Sequence, residues 1–135
     1  MEYDIIREKI LSSFRTYGFV MGEKNLEINC GKSEIVEVSC CDDVVEMRFD
    51  IDFGCEKGDF EGNQIDLWKL WIHNKQFRGR GLGTRLDEAV LDLARKFDLG
   101  KVLVSGIYFD SEKFWFEKRG YAPSGSGTLG LKVLD

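Results

Sequence analysis

At 135 residues the chain has room for one domain and none for a second, and a composition 43% apolar and 32% charged is that of a globular protein. A net charge of −5 argues against nucleic-acid binding, which needs a surplus of cations to neutralise phosphate. No apolar run approaches the roughly 20 residues that cross a bilayer, and the acidic start Met1-Glu2-Tyr3-Asp4 has no signal-peptide character.

The first element is a helix, because Tyr3, Ile6, Ile10, Phe14 and Tyr17 recur at helical spacing. Gly18 supplies a left-handed stop. Leu26, Ile28 and Cys30 then alternate with polar neighbours, as do Val36, Val38 and Cys40. The clearest strand is Val45, Met47, Phe49, Ile51 and Phe53, interleaved with Glu46, Arg48, Asp50 and Asp52. The breaks at Gly31-Lys32-Ser33 and Cys41-Asp42-Asp43 are short, so these strands form an antiparallel meander. Gly54 to Asn63 reads as a loop. Ile65 to His73 is apolar enough for a central strand. Gly81 opens a second helix striped by Leu82, Leu86, Ala89, Val90, Leu93, Ala94 and Phe97, ended by Gly100. A strand from Lys101 to Ile107 leads to a short helix capped by Asp110 or Ser111. Short strands near Tyr121 and from Thr128 to Leu134 close a mixed-sheet α/β domain.

The chemistry concentrates in Gln76-Phe77-Arg78-Gly79-Arg80-Gly81-Leu82-Gly83-Thr84, between a strand and a helix. Alternating glycines let backbone approach a bulky ligand, and the helix N-terminus that follows offers unpaired N–H groups to an anion. Arg78, Arg80 and Thr84 add donors, so the expected guest is a pyrophosphate. A P-loop requires Lys-Ser/Thr after its last glycine, whereas Leu82-Gly83-Thr84 stands here; the dinucleotide GxGxxG pattern would need glycine at Thr84. Cys30, Cys40, Cys41 and Cys55 do not have zinc-ligand spacing and His73 is the one histidine, so no metal site is expected and the thiols fit a reducing cytoplasm.

Gln76 to Gly81 resembles the Q/R-x-x-G-x-G/A motif of the GNAT N-acetyltransferases. Phe114-Trp115-Phe116-Glu117-Lys118-Arg119-Gly120-Tyr121 is similar to that family's F-Y-E-K-x-G-F segment. The resemblance covers about residues 65 to 121 and implies one domain over 1–135: a mixed sheet flanked by helices, splayed between its fourth and fifth strands and lacking the family's first strand. It implies acetyl-CoA as acyl donor, its pantetheine arm along Leu70, Trp71 and Ile72 and its pyrophosphate on Arg78, Gly79, Arg80, Gly81, Leu82, Gly83 and Thr84. The implied reaction is direct acetyl transfer to a primary amine. Phe109, Glu112 and Phe116 stand where the family has asparagine, alanine and tyrosine. Tyr108 is then the phenol left to protonate the thiolate, and the alternative is a GNAT-fold module that binds acyl-CoA without turnover.

Asp66 is the candidate general base. Strict alternation places it on the same side as Trp68, Leu70 and Ile72, where desolvation would raise its pKa. Trp68, Trp71, Trp115 and Phe114 read as core, His73 as surface, and Asp50, Asp52 and Glu61 as a solvated face that could meet a cation. The sequence is compatible with a homodimer and does not name the acceptor.

Overall fold

The computed structural model describes residues 3–20, 25–30, 35–54, 63–73, 81–107, 111–125 and 128–134. Helix α1 (Tyr3–Thr16) precedes strands β1 (Leu26–Cys30), β2 (Ile35–Cys41), β3 (Val45–Asp52) and β4 (Gln64–Ile72). Helix α2 (Leu82–Lys96), strand β5 (Lys101–Val104), the π-helical turn α3 (Lys113–Lys118), and strands β6 (Ala122–Ser124) and β7 (Leu129–Val133) follow. The element order is that read from the sequence. The strands form one open seven-stranded sheet in the order β1-β2-β3-β4-β5-β7-β6. β4 and β5 are parallel, and the other neighbours are antiparallel.

Local chemistry explains the turns. Gly18 has φ 91°, and bonds from Gly18 N to Arg15 O and Phe19 N to Phe14 O close a Schellman motif on α1. In the β2–β3 turn, one Asp42 carboxylate oxygen accepts from Val44 N and Val45 N, both at 2.8 Å. The end of α2 differs from the expectation. Asp98, at φ 56°, takes the left-handed position, and Leu99 N bonds back to Ala94 O, so the helix stops before Gly100. At α3, Glu112 rather than Ser111 occupies the cap position, and its side chain makes no capping bond; Asp110 lies outside the described residues.

Both α1 and α2 pack on one face of the sheet. Ile6, Ile10 and Phe14 meet Leu86, Val90 and Leu93 over Met47, Phe49, Ile51, Ile65 and Leu67, all buried. Phe14 stacks on Phe49 at 6.4 Å between centroids. Tyr3, at the start of the α1 stripe, is 46% exposed instead of buried.

A β-bulge decides how β4 meets this core. Arg48 pairs with Lys69 but Phe49 pairs with Leu67, so Trp68 is the extra residue. Ile65 and Leu67 lie opposite Ile51 and Phe49, and beyond the bulge Leu70 and Ile72 lie opposite Met47 and Val45. These four therefore share the helix-covered face. Asp66, opposite Asp50, lies on the other face, so the expected grouping of Asp66 with Leu70 and Ile72 is corrected by the bulge. Trp68 and Trp71, read as core, are 47% and 49% exposed, whereas Trp115 is buried.

Gly130 in β7 is fixed by packing. A Cβ there would lie 2.8 Å from Ile107 Cδ1 and 3.2 Å from Tyr121 Cβ. Gly130→Ala is therefore expected to destabilise the fold by about 1–3 kcal/mol, as overpacked cores do, measured as a lower denaturant midpoint.

Candidate active-site cleft

The sheet splays where β5 leaves β4. Their register runs from Gln64↔Lys101 to Leu67↔Val104, and Ser105 N makes a last bond to Leu67 O at 3.0 Å. Gly106 then turns the chain away at φ 72°, a conformation that favours glycine, and Ile107 N bonds to Thr128 O. β4 continues to Ile72 without that ladder.

Two hollows occupy the splay. One, of about 380 Å³, is walled by Leu70, Trp71 and Ile72, by Gly81 to Thr84, and by Ser111, Phe114, Trp115 and Lys118. The other, of about 430 Å³, runs along Leu67 to Trp71 and Val104 to Gly106. They share Leu70, Trp71, Ser111 and Trp115, so one cleft passes from the α2 side toward the open face. The bulge turns Leu70 and Ile72 toward α2. All seven described candidates for cofactor contact, Leu70 to Ile72 and Gly81 to Thr84, line this cleft. Arg78, Gly79 and Arg80 lie outside the described residues, as do Tyr108, Phe109 and Glu61.

The cleft's α2 side suits an anion. Gly81 caps the helix at φ 77°, with no atom within 4 Å of where a Cβ would project. Among the described residues Arg85 N is the first to bond back, to Gly81 O at 3.0 Å, and the N–H groups of Leu82, Gly83 and Thr84 precede it at the helix start. Thr84 Oγ1 is buried with no hydrogen-bond partner among the described residues. Gly83 admits close approach of α3, since a Cβ would lie 3.2 Å from the Phe114 ring. A buried hydroxyl, leading N–H groups and an open glycine corner suit a phosphate-like anion.

Asp66 is half-buried but does not wall the cleft; it pairs with Leu103 in the closed part of the ladder. Gln64 Nε2 donates to its Oδ1 at 2.6 Å. Burial holds its pKa above the usual carboxylate range, and nearby Asp50 and Asp52 push the same way. Asp50 is raised chiefly by burial, against a hydrogen bond from Trp68. Glu46 is lowered by the bonds it accepts from Lys69 and Arg48. Asp50, Trp68 and Arg48 border a shallow depression of about 710 Å³ on the open face that reaches Glu27 and Glu37. His73 is exposed, as expected. An apolar hollow of about 230 Å³ lined by Phe19, Met47 and Leu86 has its polar side chains committed elsewhere: Asn25 Nδ2 donates to Cys41 O, and the Asp42 carboxylate accepts from the β2–β3 turn.

Phe116 is not among the cleft walls; a Cβ on Gly130 would lie 3.3 Å from its ring. Sequence reasoning missed Asp87. It is 0% exposed, accepts from Tyr121 Oη at 2.6 Å and pairs with Arg119 Nε at 2.6 Å. Burial keeps its pKa raised in spite of those bonds, and burial with the adjacent carboxylate pushes the Tyr121 phenol up as well. One acid within an apolar helical stripe was the available signal, but its partners lie in a distant segment of the chain.

The described helices include none long and apolar enough to cross a membrane. No protein-family model matches the chain, and no curated protein sequence does. Solved structures do match. A GNAT-family acetyltransferase from Staphylococcus aureus aligns over 100% of this chain and 96% of its own, with TM-score 0.56 and 11% identity. A putative acyl-CoA N-acyltransferase from Klebsiella pneumoniae aligns over 98% and 92%, with TM-score 0.54 and 16% identity. The aminoglycoside acetyltransferase AAC(6')-Ib, in complex with coenzyme A, aligns over 76% and 68%, with TM-score 0.55 and 13% identity. The fold of this chain is that of the GNAT acetyltransferases.

Proposed function

We propose that the chain is an acetyl-CoA-dependent N-acetyltransferase acting on a primary amine. The observation that carries this reading is the β4–β5 splay opening directly beside the uncapped start of α2, with Thr84 Oγ1 buried there and unpartnered among the described residues. Gly81 to Thr84, with Arg78, Gly79 and Arg80, hold the pyrophosphate; Leu70 to Ile72 receive the pantetheine arm. Bound acetyl-CoA supplies an activated thioester. A primary amine would attack that thioester with loss of the thiolate; Asp66, on the open face that the cleft reaches and not in its wall, would take the amine's proton, and Tyr108 would give one to the thiolate. Asp66 shares the open face with Asp50 and Trp68, an acidic and aromatic approach suited to a cationic acceptor.

The test is thiol release from acetyl-CoA across an amine library. Tyr108→Phe is expected to slow turnover about a hundredfold, as loss of a general acid does. Phe116→Tyr is expected to give no gain, because that ring packs against Gly130. A large gain in Phe116→Tyr would put the donor at 116 and not at Tyr108. The absence of the family's tyrosine at Phe116 favours one other reading, a module that holds acyl-CoA without turnover; binding with no thiol release for any amine would establish it.

A further inference from the structure

The splay leaves one wall of the cleft without a strand ladder to set its position. The α2 wall presents Gly83, and the α3 wall presents Phe114 and Trp115. α3 is a single π-helical turn, Lys113–Lys118, a rare geometry that relies on its surroundings. Gly83 and Asp87 are one helical turn apart on the same face of α2. The face that receives the Phe114 ring therefore also carries the buried carboxylate.

We propose that Asp87, Tyr121 and Arg119 form a buried brace that holds the α3 wall at the spacing the acyl-CoA arm requires, with Asp87 and Tyr121 as positioning residues. This rests on the acyl-CoA reading of the cleft. The connection is continuous. Asp87 fixes the Tyr121 hydroxyl at 2.6 Å. The Tyr121 ring meets Trp115 edge-on at 5.3 Å, and Trp115 meets Phe114 edge-on at 4.8 Å. The main chain runs the same way: Tyr121 N donates to Trp115 O at 2.9 Å, and Arg119 N to Phe114 O at 2.8 Å. Arg119 reaches back to α2 at both Asp87 and Glu88. Lys132 closes the far side, donating to Arg119 O at 2.6 Å with its ammonium 5.1 Å from the Tyr121 ring centre. A buried ion pair is a weak source of net stability, since desolvation offsets much of its attraction. Its directional bonds fix one geometry, and here that geometry belongs to a cleft wall.

The experiment is a double-mutant cycle on coenzyme A affinity, measured calorimetrically with Tyr121→Phe, Phe114→Ala and the double variant. Tyr121→Phe keeps the ring on Trp115 and removes only the hydroxyl. It is expected to unfold cooperatively like the wild type and to bind coenzyme A on the order of tenfold more weakly, within the usual range of coupling between sites. In the Phe114→Ala background the same change is expected to cost less than it does alone, because the Phe114 ring at the end of the chain of contacts is gone. Asp87→Asn is expected to weaken binding in the same way; should it fail to fold, the Tyr121 and Phe114 cycle decides alone. Wild-type affinity in Tyr121→Phe, or losses that multiply in the double variant, overturn the brace while leaving the acyl-CoA reading intact. A wild-type chain that binds no coenzyme A overturns both.

Discussion

Coenzyme A at a hundred times its dissociation constant is expected to stabilise the wild-type chain by about 2.7 kcal/mol, and Gly81→Glu is expected to lose that gain entirely. ATP and NAD are expected to give none in either protein. The variant should still fold. No atom lies within 4 Å of the position a Cβ would take at Gly81, so the new side chain enters open space. The left-handed backbone, φ 77°, disfavours a side-chain-bearing residue by about 1–2 kcal/mol. A carboxylate at a helix N-terminus recovers about 0.3–1 kcal/mol of that. Binding is a different matter, because the same carboxylate competes for the N–H groups of Leu82, Gly83 and Thr84 and repels the incoming phosphates. Gly81→Ala separates the two effects: it carries the backbone strain without the charge and should keep most of the ligand-induced shift. The measurement is a melting curve for each protein with and without ligand, and an undiminished shift in Gly81→Glu would place the pyrophosphate elsewhere.

The order of elements was legible because it rests on local periodicity. The alternation from Val45 to Phe53 is strict, and β3 buries Val45, Met47, Phe49 and Ile51 as that pattern requires; Asp52, expected on a solvated face, is buried too, at 4% exposed. The glycine-rich segment announced an anion site through backbone chemistry alone. β4 was harder to read. In Ile65-Asp66-Leu67-Trp68-Lys69-Leu70-Trp71-Ile72 nearly every position is apolar, so alternation carried little information. The two polar residues, Asp66 and Lys69, are spaced by an odd number, which a flat strand cannot place on one face; the bulge at Trp68 does. That spacing was the one trace of the bulge in the sequence. The end of α2 misled for another reason: Asp98 adopts the left-handed conformation usually left to glycine, so Gly100 drew the boundary too late. The brace at Asp87 was out of reach, since its partners Arg119 and Tyr121 come together with it only through tertiary packing.

Asp66→Asn is expected to move stability and activity in opposite directions. Burial raises the Asp66 pKa in the folded chain, reinforced by Asp50 and Asp52 and opposed by the Gln64 hydrogen bond and Lys101. The folded state therefore holds that proton more tightly than the unfolded one. A raised carboxylate contributes stability that is fully present below its unfolded pKa, about 3.9, and is lost as pH rises through the folded value. At pH 7 the charged side chain works against folding, so the neutral amide should melt higher there, with the difference closing toward pH 3. Its oxygen can still accept from Gln64 Nε2. Transfer should fall about a hundredfold or more, the usual contribution of a general base. Coenzyme A affinity should hold, because Asp66 pairs with Leu103 in the closed ladder and does not wall the cleft. The pH dependence of kcat/KM supplies the diagnostic readout: the acidic limb of the wild-type profile should disappear in the variant. A variant that melts higher at neutral pH yet keeps the full rate and the same acidic limb would leave Asp66 a buried strand residue, with the acceptor arriving already deprotonated.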